Sequence, residues 1–239
     1  MSDQPSKPRI HPLTVWVPII IGVLGLVVFE AYLLRLKEEK MRDRTVAEGG
    51  ENRLPVLSRL EKNLSLIERS GKTVELKDLK GKVLVACYVY THCPRSCPGV
   101  VAQMNTLYKE VGTDPNVHFL SFSVEPDDSP EVLTDFTKRF GISGDNWWFL
   151  NGPKDELRIY LTRYFGFYAV QDVPEKDRFS PEDKYLHDAK VVLVDHKGQV
   201  RGKYDIGSPD PEFAKDDQRR IREDIKTLLA ERANDQPKP

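Results

Sequence analysis

The sequence predicts an α/β domain, a sheet flanked by helices, preceded by one N-terminal transmembrane helix. Three observations carry that expectation. Runs of β-branched and aromatic residues alternate with stretches of helical spacing between residues 82 and 165. Two further such runs bracket His196-Lys197-Gly198 near the C-terminus as a hairpin. Residues 13–29, LTVWVPIIIGVLGLVVF, carry no charge. Strands alternating with helices describe a sheet covered by helices on its faces, and an apolar run of that length crosses a bilayer.

Composition bounds the function. The 239 residues allow one ordinary domain plus appendages. With 39% hydrophobic and 31% charged residues the body is globular rather than disordered or polytopic. A formal net charge of -1 argues against a nucleic-acid binder, which would normally show a basic surface.

The elements follow in order. A short tail, residues 1–12, leads into an anchor at 13–34, with Trp16 and Tyr32 near its ends as interfacial residues. A cleaved signal peptide would need small residues before a cut site, and EAYLLRLKEEK offers none. Lys7 and Arg9 precede the span, whereas Arg35, Lys37, Lys40, Arg42 and Arg44 follow it. A positive-inside count therefore places the domain in the cytoplasm, although large domains translocate largely regardless of charge. Residues 35–54, charged and holding Gly49-Gly50, read as a linker. The folded domain spans 55–232 and a polar tail, 233–239, ends the chain.

Within the domain, KVLVACYVY at 82–90 predicts a buried central strand, followed by a helix at 100–111 and a strand at 117–124. Residues 130–140 predict a helix opened by Ser129 as N-cap. A strand at 147–150 and a helix at 154–165 come next, then an irregular stretch from 166 to 183. Strands at 190–195 and 199–205 form the hairpin, and an amphipathic helix at 211–230 closes the domain.

Chemistry concentrates at the end of the central strand. Cys87, Cys93 and Cys97 lie within eleven residues. Cys87 sits inside the strand and reads as a small buried hydrophobe. Cys93 and Cys97 follow the strand in THCPRSCP, each trailed by a proline. Pro98 suits the first turn of a helix, which places Cys97 at its N-terminus. The helix dipole and Arg95 both favour a thiolate there. A structural disulfide or two inert thiols is the plainer alternative. Two thiolates suit a soft ion such as Cu(I), with an imidazole acceptable as third ligand; a structural zinc site would need four ligands, and no second cysteine pair supplies them. Among the histidines, His11 precedes the anchor, His92 adjoins Cys93, and His118 and His196 read as surface residues. His187, just before the strand at 190–195, is a candidate on no stronger ground than position.

Three segments in order, GKTVELKDLKGKVLVACYVYTHCPRSCP, FLSFSVEPDDSPEVLTDF and HDAKVVLVDHKG, resemble the Sco/SenC family of cytochrome oxidase assembly proteins, over about residues 64–204. The resemblance implies a thioredoxin-like fold tethered to an energy-transducing membrane, here a bacterial inner membrane, with the domain facing the periplasm. It implies one copper ion, Cu(I) or Cu(II), held by Cys93, Cys97 and His187. The partners it implies are the copper-bearing subunit of a cytochrome oxidase and other copper chaperones or thiol reductants. The loop before His187 corresponds to that family's mobile insertion. Two departures stand out: Arg95 where the family often has an acidic residue, and Leu186 and Asp188 as the neighbours of His187, with Asp188 a candidate to orient the imidazole.

Two activities follow from one dithiol. Copper delivery uses all three ligands. Thiol–disulfide exchange uses Cys93 and Cys97 as a redox pair. A peroxidase would need a distinct peroxidatic cysteine, and no residue presents itself as one.

Overall fold

Seven successive residues with hardly a polar atom, VLVACYV, can be satisfied only by burial on both faces of a sheet. In the computed structural model, which describes residues 22–26, 29–30, 32–33, 54–93 and 97–235 (Cys97 through its backbone), they form the central strand β4, Val83–Val89, buried at every position. The preceding strands are β1 (Ser58–Arg59), β2 (Ser65–Glu68) and β3 (Thr73–Glu75). After β4 come helix α1 (Cys97–Val111), β5 (Val117–Ser123), α2 (Pro130–Arg139) and β6 (Trp147–Asn151). Helix α3 (Lys154–Tyr160) continues into a wide π turn, Leu161–Phe165, and stops at Gly166, φ 69°. A side chain there would be strained in that left-handed conformation and would meet Lys203, whose Nζ donates to the Gly166 carbonyl. Strands β7 (Gln171–Asp172), β8 (Tyr185–Leu186), β9 (Val191–Val194) and β10 (Gln199–Tyr204) precede the last helix, α4 (Pro211–Asn234).

Eight of these strands form one sheet in the order β1-β10-β9-β4-β5-β6-β2-β3. The three middle strands β4, β5 and β6 are parallel, and β9 runs antiparallel to β4 with Cys87 opposite Val191. The pleat sorts the core into two layers. Val83, Val85, Cys87 and Val89 face α1, α2 and α4, packing with Met104, Leu107, Phe136, Ile221 and Ile225. Leu84, Ala86, Tyr88 and Tyr90 face α3, with Tyr160, Leu161 and Phe165.

The structure extends the sequence reading at several points. Helix α1 begins at Cys97, three residues before its apolar periodicity becomes visible. Strands β1 to β3 lie where the sequence shows no strand signal, because runs of two to four residues are too short to display a period. The stretch read as irregular from 166 to 183 holds β7 and a short 3-10 turn, Glu175–Asp177, and β7 pairs with β8 in a separate two-stranded ribbon. Helix α4 runs four residues past the expected end.

The chain divides into two units, Met1–Arg53 and Leu54–Pro239. In the first, residues 22–26, 29–30 and 32–33 are helical, with Leu24, Leu26 and Phe29 exposed. Among the described residues no helix is long and apolar enough to cross a membrane. The remainder of the expected anchor at 13–34, and the linker at 35–54 save Leu54, lie outside the described residues.

Candidate functional site

Parallel strands leave their loops at one edge of the sheet, and ligands in such folds gather at the carboxyl ends. Here the loops after β4 and β5 meet. Strand β4 ends at Val89 and leads into Tyr90-Thr91-His92-Cys93, where the Cys93 N–H donates to the Tyr90 carbonyl at 3.1 Å, closing a tight turn. Cys93 is half-buried and packs against the α3-side core. Cys97 provides the first residue of α1, so its backbone stands at a helix N-terminus, where the dipole favours a negative charge. Arg95 lies outside the described residues, as does the Cys97 side chain.

His187 reaches this edge through tertiary pairing. Strand β9 begins opposite Cys87 and runs antiparallel to β4, so the residues before Val191 pass alongside the end of β4. The His187 ring stands edge-on to two tyrosines, 6.0 Å from Tyr88 and 6.4 Å from Tyr90 between centroids. Tyr185 packs on Tyr90 at 5.5 Å, and the Tyr90 hydroxyl donates to the Glu182 carbonyl. Burial pushes the Tyr90 phenol up to about 12, with Glu125, Tyr185 and Cys93 acting in the same direction. Cys93 and His187 thus both neighbour Tyr90.

The His187 Nδ1 lies 2.9 Å from the Asp188 backbone carbonyl. A carbonyl only accepts, so Nδ1 carries the proton and Nε2 the lone pair that a metal would require. The expectation that the Asp188 side chain orients the imidazole needs correcting. That carboxylate, buried, accepts instead from the Tyr168 and Lys190 N–H groups, each at 3.1 Å, and the main chain does the orienting.

A polar network absent from the sequence reading lies beside Cys93. The Asp128 carboxylate is 5% exposed and accepts from Ser123 Oγ at 2.6 Å and from Thr91 Oγ1 at 2.9 Å. Thr91 Oγ1 also lies 2.9 Å from His92 Nδ1. Burial raises the Asp128 pKa against the opposing pull of the Ser123 and Thr91 hydrogen bonds. Glu125, also buried, faces Lys184 Nζ and the Tyr185 hydroxyl, both at 3.4 Å. Asp128, Glu125 and Lys184 border a cleft of about 340 Å³ that His92 also lines. The signal for them was the acidic run VEPDDSP, which follows a parallel strand and so had to surface at the same edge as the cysteines.

The other candidates separate cleanly. Cys87 is 1% exposed, and burial lifts its thiol to about 11, as suits an inert core residue. His118, read from sequence as a surface residue, is 4% exposed. It occupies a buried strand position facing the Trp148 ring, and the alternation of VHFLSFS conceals this because every position of β5 is buried. His196 is half-buried, with Nε2 3.1 Å from Asp235 at the end of α4. Among the described residues no three His, Cys, Asp or Glu side chains converge as a ready metal cage.

The sequence pattern of the SCO1/SenC family matches residues 55–222. The SCO1 protein homolog of Bacillus subtilis is 34% identical over 139 residues, covering 57% of this chain and 68% of its own length. Among solved structures, BsSco, a member of the Sco family of cytochrome c oxidase assembly proteins, superposes with a TM-score of 0.60 at 28% identity, over 74% of this chain and 97% of its own. The copper-bound ScoI of Bradyrhizobium japonicum superposes with a TM-score of 0.52 at 27% identity, over 66% of this chain and 97% of its own. The thioredoxin-like arrangement expected from sequence is the fold these proteins share with it.

Proposed function

The chain belongs to the SCO1/SenC family, and from that premise we propose that it is a membrane-anchored copper-binding protein that delivers copper during assembly of the dinuclear copper site of a respiratory cytochrome oxidase. Cys93, Cys97 and His187 hold the ion. Residues 13–34 anchor the chain in a bacterial inner membrane as a single span, with the domain in the periplasm. The copper-bearing oxidase subunit receives the ion, and other copper chaperones or thiol reductants load and reduce the site.

The observation that carries this reading is His187 standing at the end of β4, its Nδ1 committed to the Asp188 carbonyl. The donor set suits copper, two soft sulfurs with one imidazole nitrogen, and Cys93 and His187 are half-buried beside Tyr88 and Tyr90. The helix N-terminus at Cys97 favours the thiolate form that copper ligation needs. Cys93 and His187 come from separate loops, so a partner's ligands can displace one while the other still holds the ion.

Titration of the detergent-solubilised full chain with Cu(I) and Cu(II) in competition with a chelator tests the assignment. Cys93→Ser, Cys97→Ser and His187→Ala are each expected to weaken binding by about 100-fold, the upper end of what even outer-sphere partners produce. Wild-type affinity in His187→Ala would overturn the ligand set.

A second reading rests on the same loop. A cysteine pair with one member at the first residue of a helix also suits thiol–disulfide exchange. In that reaction one thiolate attacks a partner disulfide, the other resolves the mixed disulfide, and two electrons with two protons pass to the partner. Measuring the reduction potential of the pair, with and without copper, separates the two roles.

A further inference from the structure

We propose that His92 is a hand-off ligand for copper, an imidazole outside the resident set that holds the ion in passing as it enters or leaves. The proposal rests on the copper reading above and adds a residue to it.

The argument starts from hydrogen counting. Thr91 has one hydroxyl proton, and Asp128 takes it, at 2.9 and 3.0 Å from its two oxygens. Ser123 gives Asp128 a second hydroxyl, at 2.6 Å. With its proton spent, Thr91 Oγ1 can only accept from the imidazole, 2.9 Å away. His92 Nδ1 therefore carries the hydrogen, and the lone pair sits on Nε2. Metal-binding histidines are held by an acceptor on the ring nitrogen away from the metal, and here Thr91 Oγ1, itself fixed by the buried Asp128, is that acceptor. His187 likewise has its Nδ1 committed, there directly to the Asp188 carbonyl.

Burial makes this arrangement notable. Asp128 and Thr91 are each 5% exposed and Ser123 3%, whereas the ring they orient is exposed. Sinking a carboxylate into the protein costs free energy that packing of an exposed ring does not return. The ring lines the cleft shared with Glu125, Asp127 and Glu182, whose carboxylates draw cations toward it.

Adjacency to Cys93 settles the role as successive rather than simultaneous. His92 lies in the turn that the Cys93 N–H closes onto the Tyr90 carbonyl; its ring is exposed and held by Thr91, whereas Cys93 packs on the α3-side core, so the two do not close comfortably on one ion from the same side. The step is ligand exchange and moves no electrons. A copper–nitrogen bond to His92 forms as the donor's ligand leaves, and it breaks as the Cys93 thiolate takes the ion; any thiol proton passes to solvent.

The test uses the full chain and Cu(I) supplied as its bicinchoninate complex, with transfer followed by loss of the visible absorbance of that complex in stopped flow. His92→Ala and His92→Gln are expected to keep equilibrium affinity close to wild type while slowing transfer by about tenfold or more, within the range seen for groups that assist a metal site. Thr91→Val keeps the imidazole but removes the acceptor of its Nδ1 proton, and should fall between the two. Transfer at the wild-type rate in both His92 variants overturns the proposal. So does a loss of affinity equal to that of His187→Ala, which would make His92 a resident ligand. Failure of the wild type to take up Cu(I) at all would instead sink the copper reading itself.

Discussion

His118 shows how a single buried side chain writes itself into the pH dependence of the whole fold. Its ring stands edge-on to Trp148 at 4.5 Å, and among the described residues neither ring nitrogen has a hydrogen-bond partner. Burial, with Lys82 adding to it, pushes the imidazole down to about 3 from an ordinary 6.5. Between those values the unfolded chain binds a proton that the folded chain refuses. Stability from this residue is therefore full above pH 6.5 and is lost as pH falls, by up to about 1.4 kcal/mol per pH unit. Urea denaturation of wild type and His118→Leu between pH 7 and 4 should show the variant gaining stability relative to wild type as pH falls. A pH-independent difference would show that the imidazole is not neutral in the fold.

The closing helix is fastened by one buried cation. Arg201 of β10 is 5% exposed and pairs with Asp195 at 2.7 Å and with Glu231 near the end of α4 at 2.9 Å. Its Nε also donates to the Leu54 carbonyl at 3.0 Å, so the start of the domain, the hairpin and α4 meet at one guanidinium. Asp195 further accepts from the Lys197 and Gln199 N–H groups, both at 2.9 Å, which shapes the β9–β10 turn. Arg201→Met removes the partner and leaves a buried carboxylate behind. The expected cost is about 3–5 kcal/mol, read as a fall in the urea midpoint. Replacing Asp195 as well, by Asn, should recover part of it, since the uncompensated charge is then gone. At this scale the sequence was informative wherever an element was long: the helix at 130–140 with its Ser129 cap appears as Pro130–Arg139, with Ser129 accepting from the Val132 N–H. It was silent on two-residue strands such as β7 and β8, which have no periodicity to read.

For the molecule as a whole, the proposed ion, held by loops some ninety positions apart in the sequence, couples their unfolding. With free copper at 100 times its dissociation constant the fold should gain about 2.7 kcal/mol. For a domain of this size that corresponds to a rise in melting temperature of roughly 5–11 °C. Calorimetry of the full chain with and without Cu(I) checks this, and His187→Ala should lose most of the rise. A wild-type shift in that variant would contradict ligation by His187.

The sequence by itself determined the apolar strand at 82–90, the helices long enough to show a period, and a cysteine pair between that strand and the helix after it. These are local matters, settled by side-chain spacing and by what proline and a helix N-terminus permit within a few residues. Tertiary structure decided the rest: that His187, some ninety positions after Cys97, passes Tyr88 and Tyr90, that Asp128 reaches Thr91, and that His118 is buried. Those outcomes depend on which strands pair and in what register, and pairing is fixed by the burial of two whole sheet faces, not by any short run of residues.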